Sequence, residues 1–202
     1  MLKKEIPFGW RVKPLTSSKR RAILGGRFDP IHMGHIEMAY IALSTGLVDE
    51  VVFVPTADPP HKSVEVSYSH RFEMVKLAIE GIEGFSVADW ERDERYAINT
   101  WHRHATDRDW YLLGSDSFNT ILSWYHFDEI VRDMRFMIVP RLCVPIRRDL
   151  LSIVKAFTIT MPCYIGISST DIRRKLLMGL PLKGLLPDTV IDYIHKHNLY
   201  RR

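Results

Sequence analysis

Apolar runs that alternate with amphipathic helical stretches predict an α/β fold, a Rossmann-like doubly wound parallel sheet with helices on both faces. Two observations carry that expectation. Short apolar runs at residues 22–24, 50–54, 85–88, 110–113, 135–139 and 157–160 read as strands, and the stretches 36–45, 69–80, 98–104 and 117–130 between them place apolar residues at helical spacing. Connections long enough for a helix suit parallel strands with right-handed crossovers. Hydrophobic content of 46% in 202 residues can bury one sizeable core, so residues 21–202 are expected to form a single domain.

The first 20 residues carry several lysines and arginines together with Glu5, Pro7 and Pro14 and no apolar run, which reads as a flexible basic extension rather than a secretory signal. Strand 22–24 then meets Gly25-Gly26-Arg27-Phe28-Asp29-Pro30-Ile31-His32-Met33-Gly34-His35. Ile36, Ala39, Tyr40 and Leu43 follow at helical spacing up to Gly46, a C-terminal stop, so His35 falls in the first helical turn. Backbone N–H groups and the positive end of a helix dipole converge there on an anion. The glycines are expected to let a phosphate approach the backbone, and Pro30 to stiffen the turn that bears His32. On the residues alone, two histidines beside a turn also fit caps, packed rings or metal ligands.

Strand 50–54 leads into Pro55-Thr56-Ala57-Asp58-Pro59-Pro60-His61-Lys62, and helix 69–80 leads to strand 85–88. Tyr96-Ala97-Ile98-Asn99-Thr100 opens the next helix. Strand 110–113 ends in Gly114-Ser115-Asp116, ahead of a helix over 117–130 that carries Trp124 and Tyr125. After strand 135–139 stands Arg141-Leu142-Cys143, and after 157–160 an apolar run reaches Ile167-Ser168-Ser169-Thr170-Asp171-Ile172-Arg173. This last string opens a helix whose Ile172, Leu176 and Leu177 precede Gly179. Alone, it also reads as a plain cap by Ser169 or Thr170, just as Lys62 also fits a solvated loop, Asp116 a turn and Trp124 a core position.

Taken together, the first string resembles the His-x-Gly-His signature of the nucleotidyltransferase superfamily, and the last its Ile-Ser-Ser-Thr-x-Ile-Arg element. The Pro-Pro-His-Lys loop, the Gly-x-Asp turn followed by Trp124-Tyr125, and the ending Leu186-Pro187 through Tyr193-Ile194 to Leu199-Tyr200 narrow the resemblance to bacterial nicotinate-mononucleotide adenylyltransferases. The landmarks run in family order from about Ala22 to Tyr200.

The resemblance implies that ATP, as co-substrate, gives its adenylyl group to nicotinate mononucleotide, yielding deamido-NAD and pyrophosphate. It assigns catalysis to His32, His35, Lys62 and Arg173. ATP falls to Gly25, Gly26, Arg27, Phe28, Gly34, Gly114, Asp116, Ile167, Ser168, Ser169 and Thr170, and the acceptor to Tyr96, Ala97, Trp124 and Tyr125. Within that set His35 meets the α-phosphate, Ser169, Thr170 and Arg173 hold the β- and γ-phosphates, Asp116 with Gly114 meets the ribose, and Trp124 stacks on the pyridine. Three positions depart from the family pattern. Arg27 replaces a threonine or serine, Tyr96-Ala97-Ile98-Asn99-Thr100 lacks a threonine and an aspartate, and Arg141-Leu142-Cys143 lacks the usual Pro-Gly.

An acceptor phosphate is already anionic at neutral pH, so the transfer needs no general base; the obstacle is repulsion between polyanions. The histidines, Lys62 and Arg173 are expected to supply donors and positive charge, with Mg²⁺ bound mainly through ATP phosphates and water and no protein metal ligand named. Cys143 and Cys163 are too few for a disulfide framework, no apolar run nears the ~20 residues of a membrane span, and a cytoplasmic protein is expected. The net charge of +4 is dispersed and no nucleic-acid motif accompanies it, so the partners expected are small nucleotides, with neither nucleic acid nor membrane and with room for a homo-oligomer. Adenylyl transfer to nicotinamide mononucleotide or phosphopantetheine, and a nucleotide-binding regulator that has lost catalysis, stay as alternatives.

Overall fold

The computed structural model describes residues 19–57, 64–161 and 166–201. Its elements, in chain order, are β1 (Arg21–Gly26), α1 (Met33–Ser44), β2 (Glu50–Pro55), α2 (Tyr68–Ile79), β3 (Phe85–Val87), α3 (Ala97–His104) and β4 (Trp110–Gly114). There follow α4 (Ser115–Phe118), a 3₁₀ turn (Ile121–Ser123), α5 (Phe127–Asp133), β5 (Arg135–Val139), α6 (Arg148–Leu151), β6 (Lys155–Thr158), α7 (Ser169–Leu177) and α8 (Asp188–Lys196). The strands form one parallel sheet in the order β3-β2-β1-β4-β5-β6.

Alternation along each central strand explains why helices cover both faces. Ala22 and Leu24, Val51 and Phe53, Leu112, and Met137 and Val139 pack into one cluster with residues of α1, α2, α7 and α8. Their neighbours Ile23, Val52, Val54, Tyr111, Leu113, Phe136 and Ile138 pack into a second cluster with residues of α3, α4, α5 and α6. A strand buried on both sides reads as a continuous apolar run, which is how these strands stand out in the sequence. The chain winds outward from β1 to β3 and then returns to place β4 on β1's other side. Ligands of such sheets bind beyond the carboxyl ends of the strands where the order reverses. Here that point lies between Gly26 of β1 and Gly114 of β4.

Two expectations about elements are corrected. The helix expected over 117–130 is interrupted: Trp124 is extended, with ψ 145°, and His126 is left-handed, with φ 56°. The Thr120 hydroxyl donates to Ser117 O and the Ser123 hydroxyl to Thr120 O, both at 2.8 Å, and such local bonds compete with a continuous helix. The last strand starts earlier than the expected 157–160, at Lys155, where it pairs with β5 through Arg135 to Ile138. Among the described residues no helix is long and apolar enough to cross a membrane.

Candidate active site

β1 delivers the chain to a turn with no room for larger residues. Phe28 has a φ of 47°, in the left-handed region that favours glycine, and is held there by its buried ring. That ring lies edge-on to His35, with centroids 5.0 Å apart, and against Phe53 of β2. The glycines make room for the packing around this turn. A Cβ on Gly25 would lie 2.1 Å from the Tyr111 hydroxyl, and one on Gly26 3.1 Å from the Phe28 ring.

His32 caps α1 and is 2% exposed, and its ring stacks on that of His35 with centroids 3.7 Å apart. The backbone N–H of His32 donates to Nδ1 of His35 at 3.2 Å, which makes Nδ1 the acceptor and leaves the ring proton of a neutral His35 on Nε2. Both rings are neutral at pH 7. Burial first, then Arg141, push His32 down to about 3 against the pull of Asp171. Burial, His32, Arg141 and Arg27 hold His35 well below the usual histidine range. The histidines therefore offer N–H donors, and the positive charge expected of them comes from arginines instead. His32 Nδ1 is buried and has no hydrogen-bond partner among the described residues.

The start of α7 docks onto this turn, and two further strand ends are tied to that start. The Ser169 hydroxyl donates to Pro30 O at 3.0 Å, and Arg173 Nη1 donates to Asp29 O at 2.9 Å. Arg173 Nε also donates to Glu65 Oε1 at 2.7 Å. Arg141, just past β5, donates from Nη2 to Ile167 O at 2.9 Å and from Nη1 to Asp116 Oδ2 at 3.3 Å. It thereby ties the Gly114-Ser115-Asp116 turn to the start of α7. A Cβ on Gly114 would sit 2.6 Å from Asp116 Oδ1 and 2.9 Å from Arg141 Cδ, so a larger residue would push these two side chains from their places. Arg27 is held below the usual arginine range by burial and by the charge of Arg173, which shows two cations sharing the turn.

Not every expected residue faces the turn as a free donor. Ser168, rather than Ser169 or Thr170, caps α7. Its hydroxyl accepts from Asp171 N at 3.2 Å and donates to Asp171 Oδ2 at 2.5 Å, while its own N–H goes to the same oxygen at 3.3 Å. Thr170 is exposed. Lys62 lies outside the described residues, as do Asp58 to His61.

The residues expected to hold the acceptor gather on the other face of the sheet. Tyr96, Ala97 and Trp124 pack on the second core cluster. Trp124 stands edge-on to Tyr111 at 5.8 Å, and Tyr96 stacks on Tyr125 with centroids 4.0 Å apart. Beneath them, Glu91 is 3% exposed and accepts from the Thr56 hydroxyl at 2.7 Å and the Thr100 hydroxyl at 3.3 Å. Burial pushes Glu91 up to about 7 despite those bonds.

Sequence reasoning did not single out Arg141, Glu91, Asp29 or Arg71 as site residues. Asp29 is buried and its carboxylate accepts from the Tyr200 hydroxyl at 2.7 Å and from Glu65 N at 2.8 Å. A signal existed for Arg71: it falls on the same helical stripe as Met74, Val75 and Ala78, where a charge is out of place. Arg141 opens the Arg-Leu-Cys segment, which forms a turn without Pro-Gly. Val144 N donates to Arg141 O at 3.0 Å, and Cys143 takes a φ of 61° where glycine would be unstrained.

Residues 23–175 match the cytidylyltransferase-like family model. The chain is 37% identical over 195 residues to a probable nicotinate-nucleotide adenylyltransferase of Coprothermobacter proteolyticus, covering 94% of this chain and 98% of the relative. A protein of the same name from Caldicellulosiruptor saccharolyticus is 37% identical over 193 residues, covering 89% of this chain and 98% of the relative. Among solved structures, the nicotinic acid mononucleotide adenylyltransferase of Plasmodium falciparum complexed with NaAD superposes with a TM-score of 0.77 at 25% identity, covering 89% of this chain and 96% of that chain.

Proposed function

The chain belongs to the cytidylyltransferase-like family, and from that premise we propose that it transfers the adenylyl group of ATP to nicotinate mononucleotide, giving deamido-NAD and pyrophosphate for NAD biosynthesis. The observation that carries the reading is the convergence at the sheet's switch point. There one turn leads into α1 with His35, whose Nδ1 accepts from the His32 N–H, and takes Arg173 and Ser169 of α7 on its Asp29 and Pro30 carbonyls. The reading takes residues 21–202 as one nucleotidyltransferase domain acting in the cytoplasm.

An oxygen of the acceptor phosphate attacks the α-phosphorus in line as the bond to the β-phosphate's bridging oxygen breaks, and pyrophosphate leaves with the electron pair. His35 donates from Nε2 to an α-phosphate oxygen, a contact that strengthens as charge grows in the transition state. Its tautomer is set by the His32 N–H, so His32 acts both as neighbour and as orienting group. Arg173, Ser169 and Thr170 take the β- and γ-phosphates, with Arg27 adding charge and Lys62 restraining the tail. Asp116 and Gly114 receive the ribose, and Trp124 stacks on the pyridine with Tyr96, Ala97 and Tyr125 around it.

Among the described residues no group of three or more His, Cys, Asp or Glu side chains is arranged to hold a metal. The donors at the turn are N–H groups and arginines, which fit a metal arriving on the nucleotide. Mg²⁺, held by phosphate oxygens and water, would neutralise part of the triphosphate charge.

The test is pyrophosphate release from Mg·ATP with a panel of acceptors, and kcat/KM for nicotinate against nicotinamide mononucleotide in one buffer. Nicotinate mononucleotide is expected to be preferred, by a smaller margin than in relatives that keep a threonine at position 97, because Ala97 removes one side-chain donor for the carboxylate. Equal values or a preference for the amide would overturn the acceptor and leave adenylyl transfer standing. No release with any acceptor would overturn the enzyme reading.

A further inference from the structure

Arg71 is fully buried, on the stripe of α2 that otherwise carries Met74, Val75 and Ala78 into the core. Its guanidinium is spent on main-chain carbonyls. Nη1 donates to Arg27 O at 2.6 Å and to Thr56 O at 2.7 Å, Nη2 donates to Ala57 O at 3.0 Å, and Nε donates to Val66 O at 3.1 Å. These oxygens belong to the turn after β1, the two residues after β2 and the approach to α2.

Arginine does not shed its proton in a protein, so a full charge is held inside the core. A buried charge is weak evidence for stability, since an apolar side chain of similar volume often does as well or better. The geometry offers another reason for it. Carbonyls just past the carboxyl ends of parallel strands lie where ligands of such sheets bind, and their oxygens repel a polyanion. Turned onto the guanidinium, those of Arg27, Thr56 and Ala57 do not. The charge also acts on the turn itself, being coupled electrostatically to Asp29 and Arg27. Thr56 is fixed from the other side as well, since its N–H donates to Gly26 O at 2.9 Å and its hydroxyl to Glu91.

We propose that Arg71 is a positioning residue for the triphosphate: without touching the nucleotide, it fixes the turn after β1 against the end of β2 and lays a positive charge beneath both. The proposal rests on the reading of this turn as the phosphate site.

The experiment compares Arg71→Lys and Arg71→Gln with the unaltered chain, measuring calorimetric binding of Mg·ATP and of pyrophosphate, adenosine binding by NMR titration, and thermal melting. Arg71→Gln should weaken ATP and pyrophosphate binding by about tenfold or more while adenosine binding holds, since only the phosphates feel the turn and the charge. Arg71→Lys should recover only part of that loss, because an ammonium keeps the charge but cannot serve four carbonyls in one plane. Equal weakening of adenosine and ATP would mark a structural role and overturn the proposal. So would unchanged ATP binding in a folded Arg71→Gln chain, or failure of both variants to fold. If the unaltered chain releases no pyrophosphate with any acceptor and yet binds ATP in an Arg71-dependent way, adenylyl transfer falls and this inference stands.

Discussion

At the start of α1 the cap is a buried histidine and the first turn holds no acidic residue, whereas at the start of α7 Ser168 and Asp171 close a reciprocal capping box. Both follow the same sequence pattern of apolar run, polar cluster and helix, yet they are different devices. At α1 no carboxylate of the helix's own first turn offsets the dipole, and the one that acts on its cap, Asp171, belongs to α7. At α7 the Asp171 carboxylate lies on the cap itself and spends both the Ser168 hydroxyl and its N–H. What α7 brings to the cleft is therefore carried by side chains, above all Arg173 with its anchor on Asp29. On the proposed reading, one helix start works through its dipole and a ring N–H, the other through a guanidinium.

The sharpest way to break this comparison is at α1. His35→Ala should leave the fold intact and lower kcat by about a hundredfold or more, since it removes a donor aimed where transition-state charge develops. Steady-state turnover of the variant, with circular dichroism to check folding, measures it. Near-normal turnover in a folded variant would take His35 out of the chemistry and leave the dipole alone at α1.

At α7 the effect should fall on binding. Arg173→Ala is expected to raise the KM for ATP by about tenfold or more, and Arg173→Lys to recover little of it, because a point charge cannot hold Asp29 O and a phosphate in one plane. Full recovery by lysine in the same kinetic assay would reduce the residue to charge balance.

The contrast between the two helix starts also shows what was legible in the chain. Strand positions and both motif strings follow from short-range pattern, because a strand buried on two sides and a helix start each leave a local mark, whereas the strand order that sets the switch point does not. What the sequence hid depends on long-range packing. Gly25 owes its identity to Tyr111 on the neighbouring strand, and Arg141 reaches Asp116 and Ile167 across the cleft. The neutrality of His32 and His35 is a property of burial, which residue type does not announce. The break between Phe118 and Phe127 was missed for a similar reason: apolar spacing there fits a helix, while backbone-directed Ser and Thr hydroxyls and the left-handed His126 end it.

Protonation separates the α1 turn from the acceptor side. His32 has its folded pKa lowered, to about 3, and His35 is lowered as well, so the unfolded chain binds more protons once the pH falls below about 6.5. Their stabilisation is present above that pH and is lost on acidification. Glu91 has the opposite sign: its folded pKa is raised to about 7, so its contribution is present below about 4.5 and is lost as the pH rises towards 7. Two histidines outweigh one carboxyl, so stability against pH, from urea midpoints, should rise between about 4.5 and 6.5 at about half the slope it shows just below 4.5. Glu91→Gln should remove the opposing contribution, so that the slope between about 4.5 and 6.5 roughly doubles. An unchanged profile in that variant would show that Glu91 is ionised in the folded protein.

The smallest expected effect decides what the capping box is for. If Ser168 is spent on Asp171, Ser168→Ala removes a cap and nothing from the cleft, so stability should drop by about 1 kcal/mol. For a chain of this size that lowers Tm by about 2–4 °C. The KM for ATP should stay within about twofold, since the hydroxyl already donates to Asp171 Oδ2 and accepts from Asp171 N. Ser169→Ala makes the control, because Ser169 donates to Pro30 O and so couples α7 to the turn at α1. It should raise the KM for ATP more than Ser168→Ala does, with less loss of Tm. If Ser168→Ala instead raised KM and spared Tm, the hydroxyl would belong to the nucleotide, and the start of α7 would bind phosphate as the start of α1 does.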